Sequence, residues 1–394
     1  MLELKHDLKL SKTREEKGRI NFMSGIRSYV LNDMANSMRS VWDSEVEPKF
    51  VRTNKRRPKD GPEVHRFIKS NQYFKFYSSM RVTAQDMVWQ SVMQPLDRER
   101  DDLKRRARKL EERKLGSLHL QKDFLVPRYA SAIDVHLMPG NYDGEYDVDD
   151  LAAGALYDNG LAVFSFGLMG QNLDDIGQSI AGFVHLKYPN FKPKKILDLG
   201  CTIGHNTGSW KDHFPDAEVH GIDVAAPVLR YGAARARAQN RAVHFHQMNA
   251  ESTDFPDQSF DVVFSSMFLH EVPRKGIDKV LSEAFRLLRP GGLMLHMELP
   301  PNSQLSPYDS FYLDWDSSYN NEPFYKPFRD LKPEELCRRA GFKPDKYVQF
   351  VVPSIGWYGE QVWRKSVHEQ ASVDSDKTGR LTDGIRWYCF GAWK

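Results

Sequence analysis

The chain has little cysteine, no long apolar run and almost no net charge. Its three cysteines among 394 residues, Cys201, Cys337 and Cys389, lie far apart and form no C-x-x-C pair, which argues against a disulfide framework and a zinc knuckle. No stretch approaches the roughly 20 apolar residues of a membrane span, and the charged N-terminus lacks the apolar core of a signal peptide. We therefore expect a cytoplasmic protein that does not enter the membrane.

The charged residues nearly balance. Lys and Arg total 56 against 53 Asp and Glu, a formal net charge of +3, which gives no global electrostatic basis for binding nucleic acid. The highly charged segment 97–115 predicts a solvated helix or an oligomer arm, because acidic residues interrupt its basic surface. We expect no nucleic-acid partner, and a homo-oligomer formed through the N-terminal helices stays an open alternative.

The first 149 residues carry a helical pattern. Apolar residues recur at helical spacing, as in Phe22, Ile26, Val30 and Met34, with charged helix formers between them. An acidic, glycine-containing stretch at 140–150 predicts a boundary loop. We expect a mostly helical accessory or lid region over 1–149 and an α/β domain over 150–394.

Strand and helix patterns alternate in the second part. Predicted strands cover 195–199, 218–222, 243–247, 260–265, 293–298, 347–352 and 386–392. Such alternation indicates a parallel sheet with helices on both faces, and the last two strands can pair antiparallel. The expected fold is a Rossmann-like α/β sheet of seven strands, mostly parallel with the last strand antiparallel. The aromatic stretch 300–330 is expected to be an irregular loop with a functional or lid role.

Two strand ends predict a site for a nucleoside cofactor. The first strand runs into a turn where Gly200 and Gly204 let the backbone bend sharply, and the next helix offers free amide donors. The second strand ends at Asp223, an acceptor suited to ribose hydroxyls. Dinucleotide enzymes prefer glycine where Thr202 and His205 stand, so the spacing disfavours a nicotinamide cofactor.

Three segments occur together in a recognisable order. They are ILDLGCTIG at 196–204, GIDV at 221–224, and NAES, FPDQSFDVVFSSMFLHEV and RLLRPGG within 249–292. In these motifs the sequence resembles the class I S-adenosylmethionine-dependent methyltransferases, especially the methyltransferase type 11 and ubiquinone- and menaquinone-biosynthesis group. The resemblance implies S-adenosylmethionine as the cofactor.

The resemblance also implies which residues hold that cofactor. Around its methionine end would lie Asp198, Gly200, Cys201, Thr202, Gly204 and Asn206. Asp223 would accept both ribose hydroxyls, and Ser265 would line the sulfonium pocket. Val224, Asn249 and Ala250 would surround the adenine, with the amide oxygen of Asn249 accepting from the exocyclic amine.

Methyl transfer needs alignment more than acid catalysis, because the sulfonium leaves as a neutral thioether. A base helps only when the acceptor must lose a proton. His270, on the loop after the fourth predicted strand, is the candidate base, and Glu271 is placed to orient its ring or touch the acceptor. The alternative is that this pair only packs the loop and opens the following helix.

Four residues of the aromatic stretch are candidates for binding the acceptor. Tyr308, Tyr312 and Trp315 would form an aromatic wall, and Asp314 would hold a polar or cationic group; core packing and solvated loop acids are the alternatives. The strand histidines lack a matching set of carboxylates, so we expect no metal site.

Two functions remain after this reasoning. The first is transfer of a methyl group to oxygen or carbon of a small organic acceptor. The second is a non-catalytic partner or regulatory protein that binds S-adenosylmethionine on the same fold. An open cavity beside His270 favours the first function, and a filled one favours the second.

Overall fold

The computed structural model describes residues 4–368 and 384–394. Within these residues a single sheet of eight strands has the order β1-β4-β3-β2-β5-β6-β8-β7. The strands are β1 (Ser117–His119), β2 (Lys195–Leu199), β3 (Glu218–Asp223), β4 (Val243–Gln247), β5 (Phe260–Ser266), β6 (Leu288–Glu298), β7 (Tyr347–Pro353) and β8 (Arg386–Trp393). Strands β1 to β6 pair in parallel, and β8 runs antiparallel to both β6 and β7. The predicted α/β fold class and its antiparallel last strand are confirmed.

The sheet has one strand more than the seven predicted. The extra strand, β1, comes from the N-terminal region and pairs Ser117 with His244 at the edge of β4. A strand of three residues is too short to display the alternation by which strands are predicted. The N-terminal region therefore extends the sheet as well as covering it.

Helices pack on both faces of the sheet. The N-terminal helices are α1 (Arg14–Tyr29), α2 (Ala35–Val41), α3 (Glu47–Asn54), α4 (Gly61–Ile68), α5 (Gln72–Glu111) and α6 (Arg128–Ser131). The others are α7 (Ala152–Phe164), α8 (Asp175–Lys187), α9 (His205–His213), α10 (Ala226–Ala238), α11 (Arg274–Leu287), α12 (Pro307–Tyr319), α13 (Tyr325–Arg329), α14 (Pro333–Arg339) and α15 (Ile355–His368). None of the described helices is long and apolar enough to cross a membrane.

The prediction of an irregular loop over 300–330 was wrong, because α12 and α13 lie there. The hydroxyl of Ser306 accepts a hydrogen bond from the Asp309 amide, and Pro307 occupies the first turn, so the helix start is well specified. Phe311 and Trp315, four residues apart, share one helix face and are buried. The aromatic pattern is that of a packed helix.

The N-terminal helices share cores with the α/β part. Val88 and Val92 of α5 lie in one apolar cluster with Leu156 of α7 and Val228 and Tyr231 of α10. A second cluster joins the helices before residue 90 to α12. These contacts hold the N-terminal helices over the carboxyl edge of the sheet.

Candidate active site

The turn after β2 brings backbone close to the ligand space. Gly200 has a φ of +66°, a left-handed conformation that side chains rarely adopt. A Cβ atom there would lie 2.2 Å from the ring of Phe268, so the position also lacks room for a side chain. Thr202 is left-handed too, with a φ of 50°. Its amide donates a 3.0 Å hydrogen bond to Asp223, which helps to hold this conformation.

Asp223 ends β3 and faces the same space. Its two oxygens accept hydrogen bonds of 3.0 Å from the amides of Thr202 and Ala225, and the amide of Val224 also bonds to this carboxyl. Burial raises the pKa of Asp223 to about 6. A hydrogen-bond donor that arrives here meets a carboxylate already fixed in position.

Asp198 lies deeper, on β2. The hydroxyl of Thr207 donates a 2.5 Å hydrogen bond to it, and burial raises the pKa of Asp198 to about 7. The charged form is disfavoured because the carboxyl is shielded from water and no cation of the described part of the chain lies beside it. A ligand that brings a positive charge would restore the ionised form.

Asn249 follows β4 and uses its amide oxygen within the loop. That oxygen accepts a 2.9 Å hydrogen bond from the Glu251 amide, which leaves it one further lone pair. Val224 and Ala250 lie beside it on the cavity wall. This end of the cavity is largely apolar and suits a flat ring.

A cavity of about 840 Å³ opens along the carboxyl ends of β2 to β6. This volume lies within the range of roughly 300–1,000 Å³ typical of ligand sites. Of the cofactor-binding residues predicted, Asp198, Gly200, Cys201, Thr202, Asn206, Asp223, Val224, Asn249 and Ala250 line it. Its opposite wall comes largely from the N-terminal helices and α12, including Leu31, Trp89 and Tyr312.

Two predicted residues lie elsewhere. Ser265 is fully buried in β5, where its hydroxyl pairs with Nδ1 of His296 at 2.7 Å, and Ser266 lines the cavity instead. Successive strand residues point to opposite faces, so a shift of one residue changes the side. Gly204 caps α9 and packs against Phe245.

His270 lies on the turn after β5 and is buried, with an exposed fraction of 1%. Its Nδ1 lies 2.6 Å from Oε2 of Glu298. The other carboxylate oxygen of Glu298 accepts hydrogen bonds from the backbone amides of Phe268 and Leu269. Although burial alone favours the neutral ring, Glu298 holds the pKa of His270 above its ordinary value. The ring is thus oriented by Glu298 and not by Glu271, which lies 3.8 Å from Nε2; the other role predicted for Glu271, contact with the acceptor, stays a prediction.

Glu271 pairs with a residue that the sequence did not single out. Nε2 of His136 lies 3.2 Å from Glu271 Oε1, and its Nδ1 lies 3.1 Å from Glu322 Oε1. The three residues of these pairs, His136, Glu271 and Glu322, line the cavity together with His270. Glu298 had a usable signal, an acid at the end of a predicted strand, whereas nothing around His136 marked it.

The four candidates for acceptor binding divide into two pairs. Tyr308 and Tyr312 line the cavity. Trp315 is buried away from it and donates a 3.1 Å hydrogen bond to Ser78 Oγ, and Asp314 forms a 2.7 Å ion pair with Arg329. Trp315 packs in the core, as the alternative interpretation held, whereas Asp314 is a largely buried ion-pair partner on α12 and not the solvated loop acid of that alternative.

No three His, Cys, Asp or Glu side chains converge to hold a metal ion in residues 4–368 and 384–394. The strand histidines hydrogen-bond to one another and to polar neighbours, as His220 does with His246 at 3.0 Å and Glu218 at 2.8 Å.

Comparison with known proteins finds similarity to methyltransferases. Residues 196–292 match the model described as a methyltransferase domain. The chain is 30% identical over 228 residues to the ubiquinone/menaquinone biosynthesis C-methyltransferase UbiE of Vibrio campbellii, an alignment that covers 54% of this chain and 80% of that protein. It is 36% identical over 109 residues to the demethylmenaquinone methyltransferase of Thermus thermophilus, covering 28% of this chain and 49% of that protein. The chain therefore spans only about half of the Thermus relative.

Among solved structures, phosphoethanolamine N-methyltransferase 2 of Haemonchus contortus is similar. Its complex with phosphomonomethylethanolamine and S-adenosylhomocysteine matches with a TM-score of 0.42 and 20% identity. The match covers 61% of this chain and 58% of that one.

Proposed function

The chain belongs to the class I S-adenosylmethionine-dependent methyltransferases, and we propose that it methylates an oxygen or a carbon atom of a small organic acceptor. The observation that carries this proposal is the 2.6 Å pair of His270 and Glu298 on the wall of the cavity that Asp198 and Asp223 also line. Such a pair is suited to remove a proton from a hydroxyl or a carbon acid.

The cavity fits S-adenosylmethionine chemically. Asp198 is buried and Asp223 is partly buried, and neither has a cationic partner within residues 4–368 and 384–394. They match a ligand that carries positive charge and ribose hydroxyls. Asp223 would hold the ribose, Asp198 the amino group, and Val224 and Ala250 the adenine. When bound, the cofactor supplies a methyl group on a cationic sulfonium.

His270 would take the proton of the acceptor through Nε2. This nitrogen lies 3.8 Å from Glu271 and 3.9 Å from Glu322, beyond hydrogen-bonding distance, while Nδ1 is held by Glu298. Like charges disfavour each other, so a cation bound nearby lowers the pKa of His270 and increases the neutral, basic form. Burial of the ring excludes water from the transfer.

The open cavity supports catalysis over the non-catalytic alternative. The cavity that His270 lines is also lined by Tyr308, Tyr312 and Leu313 of α12. We further propose that residues 1–149 act as a lid over this space and that the reaction takes place in the cytoplasm, where three unpaired cysteines would stay reduced.

The test combines a binding measurement with a search for product. Labelled S-adenosylmethionine incubated with the full chain and a metabolite extract should yield a labelled small molecule. Asp223→Ala should weaken cofactor binding in calorimetry by about 1.5–3 kcal/mol for each charge-assisted hydrogen bond lost. Asp101→Ala, which removes an exposed carboxylate on α5, is the control and should bind normally.

Two results would count against the function. Absence of both cofactor binding and labelled product would refute it. Normal binding by the Asp223→Ala variant would show that the cofactor lies elsewhere.

A further inference from the structure

A cluster of ionisable side chains surrounds the ring of His270. Glu298 reaches it from β6, Glu271 lies next to it in the chain, Glu322 precedes α13, and the ring of Tyr325 on α13 lies 4.0 Å away between centroids. Burial raises the pKa of Tyr325 far above its ordinary range, so its hydroxyl adds no charge. Three carboxylates thus face one imidazole.

These carboxylates divide between two histidines. Glu298 bonds Nδ1 of His270, whereas Glu271 and Glu322 lie 3.2 Å and 3.1 Å from the two ring nitrogens of His136. The side-chain amide of Asn320, which donates to Glu322, also lies 2.8 Å from Nδ1 of His136. An imidazole with a carboxylate at each nitrogen is bound as the cation, which can donate at both positions. Despite its burial, the two carboxylates raise the pKa of His136 to about 10.

The position of His136 is fixed from outside the cluster. Its carbonyl accepts hydrogen bonds from Gln85 Nε2 at 2.9 Å and from Trp89 Nε1 at 2.8 Å, both on α5. Its backbone is left-handed, with a φ of 58°, a conformation that neighbouring structure must hold in place. The N-terminal region therefore delivers one fixed positive charge to the site.

We propose that His136 is a positioning residue for the transfer: its cation pairs with Glu271 and Glu322 and so leaves Nε2 of His270 free to accept the acceptor's proton. This inference rests on the proposed function, in which His270 is the base. It assigns to the N-terminal region an electrostatic part in the reaction besides covering the cavity.

The direction of the effect follows from charge. Without the cation of His136, Glu271 and Glu322 would present their full negative charge 3.8 Å and 3.9 Å from Nε2 of His270. Opposite charges at that distance favour the protonated ring and raise its pKa. A base must be deprotonated to act, so the acidic limb of the pH–rate profile would move to higher pH.

The experiment follows the ring of His270 directly and needs no acceptor. Isotope-labelled histidine is titrated by NMR in the full chain with S-adenosylhomocysteine, and the His270 signal is assigned from its absence in His270→Gln. His136→Gln should raise the pKa of His270 by about one pH unit, a tenfold gain in proton affinity. His136→Lys keeps the charge and should stay near the wild-type value.

A second variant covers the case in which His136→Gln fails to fold. Glu322→Gln removes one carboxylate and should lower the pKa of His270, the opposite direction. An unchanged pKa of His270 in the folded charge variants would overturn the inference.

The two proposals fail in different ways. If His270→Gln keeps full methyl transfer, the base assignment is wrong whatever the titration gives. If His270→Gln is inactive but the titrations of the His136 and Glu322 variants coincide with that of wild type, only the role of His136 is wrong.

Discussion

Two carboxyls, the buried Asp198 and the partly buried Asp223, line the cavity at the end proposed for the cofactor. Burial raises the pKa of Asp198 to about 7 and that of Asp223 to about 6, so the empty protein keeps a share of both in the neutral form near neutrality. Holding two negative charges in one dry cavity costs free energy, which a bound cation offsets. The site thus favours a ligand that carries a positive charge.

The first prediction from these residues concerns stability and pH. The folded pKa of Asp198 lies above its unfolded value near 3.8, so between these values the folded state binds more protons than the unfolded state. The contribution of Asp198 to the free energy of unfolding is therefore present at low pH and is lost as pH rises through about 7. Denaturant unfolding of ligand-free wild type and Asp198→Asn at about pH 5.5 and about pH 8 measures it.

Asn cannot ionise, so the variant should lack this pH dependence, and other titrating groups cancel in the comparison. Wild type should lose stability relative to Asp198→Asn between the lower and the higher pH. A constant difference between the two proteins would mean that Asp198 titrates normally.

Much of the cavity wall was predictable from strand ends alone. Asp198, Asp223 and Asn249 follow buried apolar runs, and the carboxyl ends of parallel strands meet at one edge. The prediction of Ser265 was off by one position, since Ser266 lines the cavity, because a buried strand lacks the alternation that tells its two faces apart. His136 was unpredictable, since its partners Glu271 and Glu322 are distant in sequence.

At the scale of elements, one face of α12 lines the cavity and another packs in the core. Tyr312, Leu313 and Asp316 line the cavity, while Phe311 and Trp315 pack into an aromatic core with Phe74 of α5. One helix therefore joins the acceptor space to the N-terminal helices.

This division predicts different effects for neighbouring substitutions. Trp315→Ala should lower the free energy of unfolding by about 3–5 kcal/mol, because it empties a buried aromatic site and leaves Ser78 without its donor. Cofactor affinity of the folded fraction should not change. Tyr312→Phe, the matched variant on the cavity face, loses one hydroxyl contact to Tyr77 and should cost about 1 kcal/mol.

Urea unfolding and calorimetry with S-adenosylhomocysteine separate the two effects. A stable Trp315→Ala protein with altered affinity for S-adenosylhomocysteine would mean that Trp315 contributes to the cofactor site.

Strands and helices were predictable from the sequence where the pattern of apolar residues extended over enough positions. The seven longer strands were found because each is a run of buried apolar or alternating residues. The three residues of β1 and the aromatic helix α12 escaped, the first by length and the second because its aromatic residues suggested a loop. Their conformations depend on tertiary contacts with β4 and α5.

At the scale of the molecule, the N-terminal region and the α/β part fold against each other. His6 lies 2.9 Å from Asp158 of α7, with both side chains fully buried, and Asp158 also accepts the hydroxyl of Tyr231. Contacts between residues so far apart in the chain produce no periodic pattern in the sequence. The two regions could therefore be predicted, but the core that they share could not. The predicted domain boundary near residue 150 stays a prediction.

The last prediction tests that shared core. Residues 150–394 expressed alone should aggregate or remain unfolded, because removal of α5 exposes the buried side chains of Leu156, Val228 and Tyr231. A matched control keeps every contact: a protease site inserted at Val148, which is 84% exposed, allows the folded chain to be cut. The two pieces should then elute together and still bind S-adenosylhomocysteine. A soluble, cooperatively folding 150–394 fragment with full cofactor affinity would instead mean that the N-terminal helices are a separate domain, and their contacts would then matter only for the acceptor.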